Sequence, residues 1–337
     1  MRRTLILVLL LLSGAVLSAQ TKKILVLDQS DRVLAEWRSA SDQVEIVPVS
    51  EDTVMDEIAD ADAFIGSIRP EWVRAGKNLK WVQTYSAGVE RLLHLSGSND
   101  LRDSDIVLTN NQIVQGPEIA DHAMAMLLAL TREIPRWLDQ KAHEVWDGKS
   151  NTLIELNTKT AVIVGVGGIG TQIAIRAWAH GMRVVGVDPE DIPMTPFIER
   201  IVKPDQLDEV IGEADVLFVA APHTQKSRQM IGRAQFERMK QGSYFIAVSR
   251  GALYDLDALA TSLESEKLAG AGVDVTDPEP LPAGHPLWKL DNVIITPHIA
   301  GRSDLDRGRM SDTVKANIRR FAEGLPLINV VDKRKGY

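Results

Sequence analysis

Ala161-Val162-Ile163-Val164-Gly165-Val166-Gly167-Gly168-Ile169-Gly170 is the stretch on which the reading of this chain turns. A short aliphatic run of strand length meets G-x-G-x-x-G, and a helical pattern follows. Gly165 permits a tight turn, Gly167 lets backbone approach a pyrophosphate, and Gly170 lets the helix pack closely on the strand. The N–H groups of the first helical turn, around Gly168 and Ile169, face the phosphates with partial positive charge. A glycine-rich turn alone is a weak signal. Its context is stronger. A second strand, Arg183 to Val187, ends at Asp188, roughly 20 residues past the last glycine, where an acid accepts hydrogen bonds from the ribose hydroxyls of NAD. A solvated strand-end acid is the competing reading of Asp188. Pro189-Glu190-Asp191 follows, so the extra phosphate of NADP meets repulsion, and no arginine stands nearby in sequence to receive it.

Outward from this point the chain alternates strand and helix. Downstream strands are expected at Val216–Ala220, Tyr244–Val248, Gly272–Val275 and Val293–Thr296, enough for a doubly wound sheet. Upstream, Ile24–Leu27, Val44–Val49, Ala63–Ile65, Trp81–Thr84 and Ile106–Leu108 alternate with helical segments such as Asp31–Ser39 and Asp52–Ala59, a second parallel sheet. Between the sheets a long helix starts at Pro117, with Ile119, Ala123, Met126, Leu127, Leu130 and Ile134 on one face. Pro135 is expected to end or kink it. The polar stretch 136–158 reads as a connector or arm. A helix is expected over Thr313–Glu323, and Leu325 to Val331 as a segment packing back on the first domain.

At 337 residues the chain is long enough for two cores. Its net charge is -8, and no Lys/Arg-rich run marks a nucleic-acid face. The only basic cluster, Lys333 to Lys335, reads as a solvated tail. The absence of cysteine removes disulfides, thiolate catalysis, iron–sulfur clusters and Cys-type zinc sites; no metal site is expected. Met1-Arg2-Arg3, the aliphatic run Leu5 to Leu12, and the small residues up to Ala19 form a secretory-signal pattern. The run is too short for a comfortable bilayer span, so no membrane span is expected in the mature chain. Residues 1–19 are therefore read as a signal peptide and the protein as exported or periplasmic. A misassigned start site would make it cytoplasmic.

Three segments at strand ends carry chemistry. Val248-Ser249-Arg250-Gly251 offers a guanidinium able to grip a carboxylate or keto oxygen by forked hydrogen bonds. Gly272 to Pro282 is a proline-stiffened loop bearing Asp274 and Glu279. Thr296-Pro297-His298-Ile299-Ala300-Gly301 brings a histidine. Singly these read as a surface arginine, a polar loop and a structural histidine. Together they meet the needs of carbonyl reduction: a proton donor with pKa near neutrality, a carboxylate to orient it, and a fixed cation at the carbonyl.

With these motifs the chain resembles the D-isomer-specific 2-hydroxyacid dehydrogenases, among them D-lactate, D-glycerate, glyoxylate/hydroxypyruvate and phosphoglycerate dehydrogenases. The resemblance runs from Lys22 to Asp332. It rests on Tyr85-Ser86-Ala87-Gly88-Val89-Glu90, the glycine loop with Asp188, Pro222-His223-Thr224, Ser249-Arg250-Gly251, Asp274 to Pro282, and His285-Pro286-Leu287-Trp288 before Thr296-Pro297-His298. It implies an α/β protein with two doubly wound parallel-sheet domains. A Rossmann NAD-binding domain (116–300) is inserted in a flavodoxin-like substrate domain (22–115 and 301–332). It implies that Arg250 binds and polarises a 2-keto acid, that His298 paired with Glu279 is the acid/base, and that backbone around Ala87, Gly88 and Val89 cradles the substrate carboxylate. Pro222, Ser249 and Arg250 line the cofactor cleft, Asp274 lies near the nicotinamide end, and Gly301 joins the cofactor set. The helix from Pro117 acts as a hinge, and a homodimer is usual. The departures are Ala247 for a frequent asparagine, Thr158 for a usual glycine, and Tyr254 for a small aliphatic. Glu279 argues against the formate dehydrogenase branch, where glutamine is expected. The substrate expected is a small acid such as glyoxylate or hydroxypyruvate. The rival reading is an NAD(H)-sensing interaction protein on the same fold, as in certain transcriptional corepressors; the intact Arg250, Glu279 and His298 set counts against it.

Overall fold

The computed structural model describes residues 21–150 and 153–337. The leader read at 1–19 lies outside the described residues. Two parallel sheets form the frame. The first holds β1 (Lys22–Leu27), β2 (Val44–Val49), β3 (Ala63–Ile65), β4 (Trp81–Gln83) and β5 (Val107–Thr109), in the order β2-β1-β3-β4-β5. The second holds β6 (Thr160–Val164), β7 (Arg183–Val187), β8 (Arg200–Val202), β9 (Val216–Val219), β10 (Ser243–Ala247), β11 (Leu268–Val273) and β12 (Val293–Ile295), in the order β12-β11-β10-β9-β6-β7-β8. The chain reverses its winding direction at β6, and ligands of open parallel sheets bind at such a switch point, beyond the carboxyl ends of the strands. Every residue of β6, β9 and β10 is buried, as expected of central strands covered on both faces.

The helix Gly116–Thr131 leads from the first sheet into the second and packs along the helix Gly168–Ala179 that follows the glycine loop. Close approach is built in. A Cβ at Gly272 in β11 would stand 2.8 Å from Met126 Cβ. Met124 and Met126 are core residues, both buried. The chain returns from the second sheet through the helix Asp306–Glu323, which covers the first. Phe321 packs on Trp81 with ring centroids 5.2 Å apart, and Trp37 Nε1 donates to Ser311 Oγ (2.8 Å). Buried Asn317 donates to Gln83 Oε1 (3.0 Å) and accepts from Ile328 N (2.8 Å). Val330 then bridges Thr109 in antiparallel fashion.

Several expectations need correction. β8 has no counterpart among the expected strands; it is a short edge strand with one exposed and two half-buried residues, too little periodicity to register. Pro135 does not end the long helix. That helix stops at Thr131, Glu133 turns left-handed (φ 53°), and Pro135 sits in the first turn of a new helix, Ile134–Ala142, where its missing N–H costs nothing. The polar arm is thus partly helical. The segment expected as helix over Asp52–Ala59 is a short α-turn, Val54–Glu57, running into a 3₁₀ turn, Ile58–Asp60. The basic tail is not a solvated end. Lys333 Nζ donates to the carbonyls of Leu101 (2.9 Å), Ser104 (2.5 Å) and Ile106 (2.8 Å). Among the described residues no helix is long and apolar enough to cross a membrane, and no cluster of His, Asp and Glu has metal-ligand geometry.

Candidate active site

Because both sheets are parallel, every motif singled out in the second one follows the carboxyl end of a strand: the glycine loop after β6, Asp188 after β7, Pro222-His223 after β9, Arg250 after β10, Asp274 and Glu279 after β11, and His298 after β12. They therefore share one edge.

The glycine loop fits a dinucleotide. Gly165 has φ 89°, and a Cβ there would stand 2.5 Å from Ala221 N and Cα. A Cβ at Gly170 would collide with the Gly165 carbonyl. At Gly167 a Cβ would meet nothing within 4 Å, so that side of the backbone is open to a phosphate. Asp188 closes the loop's far side: its carboxylate accepts from Val166 N (2.7 Å) and Glu190 N (2.8 Å). The acids beyond it are compensated. Lys203 pairs with Asp191 (2.7 Å), and Lys335 and Tyr337, from the chain's other end, both donate to Glu190 Oε1 (2.8 Å). No sequence signal pointed to that contact, since about 145 positions separate its partners.

Around β11 and β12 the arrangement is a histidine held from two sides. His298 Nδ1 donates to Glu279 Oε2 (2.9 Å), and Glu279 Oε1 accepts from Thr276 N (3.2 Å). That fixes the tautomer and leaves Nε2 to exchange a proton with a ligand. His298 itself has φ 52°, a conformation that non-glycine residues seldom adopt. Asp274 sustains it. This carboxylate is 2 % exposed and accepts from Thr296 Oγ1 (2.6 Å), Ile299 N (2.9 Å) and Ala300 N (3.0 Å), while its own carbonyl accepts from His298 N (2.8 Å). Since the Thr296 hydroxyl proton goes to Asp274, His122 Nε2 must be the donor in its 2.9 Å contact with Thr296 Oγ1. The side chain of Asp274 thus braces the His298 turn.

Arg250 reaches across to the first domain. Its Nε donates to Glu90 Oε1 (2.6 Å) and its Nη1 to Ser249 O (2.8 Å). Its Nη2 lies so close to Gly88 that any Cβ there would collide with it. The loop that meets it is braced by Asn110 Nδ2 on Ala87 O (2.6 Å) and Asn111 Nδ2 on Tyr85 O (3.0 Å). Of the N–H groups expected to cradle a carboxylate, that of Gly88 donates to Ser86 Oγ (3.1 Å), and Val89 is buried in the first core. Burial pushes the Glu90 carboxyl up, but the charge and hydrogen bond of Arg250 outweigh it and hold the group below its ordinary value. His223 meets His94 edge to face at 5.2 Å, and burial, then His94, lower its pKa. Ser249 is buried, and its Oγ has no hydrogen-bond partner among the described residues. Pro222 is exposed, its carbonyl accepting from Ser227 Oγ (2.7 Å). Gly301 stands at the return crossing, its carbonyl accepting from Gln115 Nε2 (2.8 Å). Glu90, His94, Asn110 and Asn111 were given no role from sequence.

The chain is similar to known proteins. Residues 124–300 match the family model described as D-isomer specific 2-hydroxyacid dehydrogenase, NAD binding domain. A glyoxylate reductase of Korarchaeum cryptofilum is 31% identical over 85% of this chain and 87% of its own length. A D-3-phosphoglycerate dehydrogenase of Archaeoglobus fulgidus is also 31% identical, over 92% of this chain; the chain spans only 59% of that longer protein. The crystal structure of a glyoxylate reductase from Paecilomyes thermophila superposes with a TM-score of 0.81 at 25% identity, covering 94% of this chain and 99% of that one. A glycine loop, a His298–Glu279 pair and an arginine tied to Glu90 thus stand in a chain that belongs to the D-isomer-specific 2-hydroxyacid dehydrogenase family.

Proposed function

We propose that this chain is an NAD-dependent dehydrogenase that interconverts a small 2-keto acid and a D-2-hydroxy acid. The observation that carries the reading is the His298–Glu279 pair (2.9 Å) on the strand edge that also bears the glycine loop and Arg250. When bound, the nicotinamide cofactor supplies or takes up the hydride. Gly167 and the helix start at Gly168–Ile169 would hold its pyrophosphate, in a loop shaped by the turn at Gly165 and the close packing at Gly170, and Asp188 would hold its ribose hydroxyls. Pro222, Ser249 and Arg250, which follow the neighbouring strands β9 and β10, would line the same cleft. Arg250 binds the keto acid and offsets charge gathering on the carbonyl oxygen. His298 delivers a proton from Nε2 to that oxygen and removes it in the reverse direction, while Glu279 stabilises the charged ring. The Ala87–Val89 loop, which Arg250 Nη2 approaches at Gly88, would meet the substrate carboxylate.

The preference for NAD is supported by Asp188, an acid at the end of β7 that would repel a 2′-phosphate; Lys203 and Lys335 soften the acids that follow it. A substrate of glyoxylate or hydroxypyruvate type is supported by the names of the relatives. Domain limits of 22–115 with 301–332, and of 116–300, are proposed, supported by the grouping of the strands into two sheets. The arm leaves Ile134, Leu138, Val145 and the fully exposed Trp146 without cover, which supports a homodimer built on it. Export is proposed from the leader pattern, and intact leader on protein isolated from its native cell would refute it.

The test is NADH oxidation with a panel of 2-keto acids, with NADPH, Arg250→Ala and His298→Ala as controls. Turnover with NADH that both substitutions abolish is expected. Tight NADH binding without turnover on any acid would replace this reading with the sensing protein.

A further inference from the structure

We propose that Glu90 is a positioning residue for the reaction: it fixes the plane of the Arg250 guanidinium so that the Nη2 edge faces the Ala87–Val89 loop. This rests on the reading of Arg250 as the group that binds the keto acid.

Arg250 sits on a loop and comes to the cleft from the cofactor domain, while its target loop belongs to the other domain. An arginine side chain has four rotatable bonds and about 2 kcal/mol of rotamer entropy. Something must hold its fork. Two contacts do so. Ser249 O takes Nη1 at 2.8 Å, and Glu90 Oε1 takes Nε at 2.6 Å. The first is local and leaves the guanidinium free to swing about the chain. The second is not, because Glu90 is anchored in the other domain, 160 residues away, and is 9 % exposed. With Nε and Nη1 engaged, Nη2 is directed at Gly88, where no side chain fits beside it. The same glycine is what lets Glu90 and Arg250 meet, because a Cβ there would also stand 2.6 Å from Glu90 Oε2. The charge matters too. Paired with Glu90, the cation is neutralised and stays put until an anionic substrate arrives, rather than swinging out to water or to another carboxylate in the cleft.

Glu90 touches neither hydride donor nor reacting carbon in this scheme; it works through Arg250. The test is a double-mutant cycle with Glu90→Ala, Glu90→Gln, Arg250→Ala and the double substitution. Each is assayed for keto-acid KM and kcat, for NADH affinity by fluorescence titration, and for thermal midpoint. Glu90→Ala is expected to raise the keto-acid KM roughly 10- to 100-fold, the scale on which misplacing a binding group by about 1 Å is felt. NADH affinity should stay within about twofold. Glu90→Gln keeps the length and a carbonyl acceptor for Nε, and should recover most of the loss. In the Arg250→Ala background, Glu90→Ala should cost nothing further, because its only route is gone.

An unchanged KM in Glu90→Ala, with Arg250→Ala still crippling, overturns the proposal and leaves the role of Arg250 standing. So does a Glu90→Ala loss that persists at full size without Arg250, or one that falls equally on NADH affinity, either of which marks a structural tie between domains. If Arg250→Ala itself keeps wild-type KM and kcat, the substrate-binding reading fails first and the role of Glu90 with it.

Discussion

Replacing Asp274 by asparagine tests how His298 is held in place. The carboxylate accepts three hydrogen bonds in a nearly dry site: Oδ1 takes Thr296 Oγ1 and Ile299 N, and Oδ2 takes Ala300 N. An amide of the same shape offers one acceptor oxygen and one NH2. If the oxygen stays on the Oδ1 side, the NH2 faces the Ala300 N–H. If it flips, the NH2 faces the Ile299 N–H, and only Thr296 can adapt by turning its hydroxyl. Either way one buried N–H loses its acceptor and meets a donor. Such an orphan costs about 1–3 kcal/mol, and the lost bond is of the stronger, charge-assisted kind. Asp274→Asn is therefore expected to lose about 2–3 kcal/mol of stability. The strain at His298, worth about 1–2 kcal/mol for a left-handed non-glycine residue, then finds relief by letting the turn relax. A displacement of about 1 Å at the imidazole lowers kcat by about 100-fold. Urea unfolding followed by fluorescence gives the first quantity, and steady-state NADH oxidation the second. Stability within about 0.5 kcal/mol of wild type together with an unchanged kcat would refute the strut. A loss confined to NADH affinity would show instead that Asp274 contacts the cofactor.

Other expectations concern single features. Thr158 is a β-branched residue at φ 68°, with its N–H bonded to Gly181 O; Thr158→Gly should raise stability by up to about 1 kcal/mol, and a fall would show that the threonine has a compensating contact. Tyr254 is buried with its hydroxyl on Val275 O at 2.6 Å; Tyr254→Phe leaves that carbonyl unsatisfied and should cost about 1–3 kcal/mol in chemical denaturation, whereas a neutral result would mean water replaces the hydroxyl. Glu190→Gln removes one acid and frees Lys335 and Tyr337 beside Asp188. It should raise the NADPH-to-NADH ratio of kcat/KM by about fivefold, the worth of one screened charge contact in water, and an unmoved ratio would place the 2′-position elsewhere.

The parts of this protein that were legible in sequence are those written in contiguous residues. The glycine loop, its flanking strands and Asp188 form one local unit, so spacing alone placed them. The buried strands announced themselves as aliphatic runs, whereas β8, at an edge with half-wet side chains, did not. Tyr254 stood out as an oddity, and its reason is tertiary: it packs on Phe245 at 5.1 Å and donates across to the strand end that carries Thr276. The same holds for the site. His298 and Glu279 stand out in a loop and at a strand end, but Glu90 meets Arg250 and Tyr337 meets Glu190 only through the tertiary fold. Pairings across such distances have no local composition to betray them. Pro135 misled because a proline can close one helix or open the next, and only the left-handed turn at Glu133 decides which.

The first sheet is roofed by the helix Asp306–Glu323 and bordered at β5 by Val330, both drawn from the far end of the chain. During synthesis on a ribosome, the stretch carrying β6 to β12 is therefore complete and able to fold while the earlier-made sheet still shows Trp81 and the open backbone of β5 to solvent. Segments of that kind are sticky, and chains grow at about 5–20 residues per second. The nascent protein passes through an interval in which its younger half is native and its older half waits. A stop codon ahead of Asp306 would make that interval permanent, yielding a fragment whose second sheet is complete while Trp81 and β5 stay uncovered and prone to aggregate.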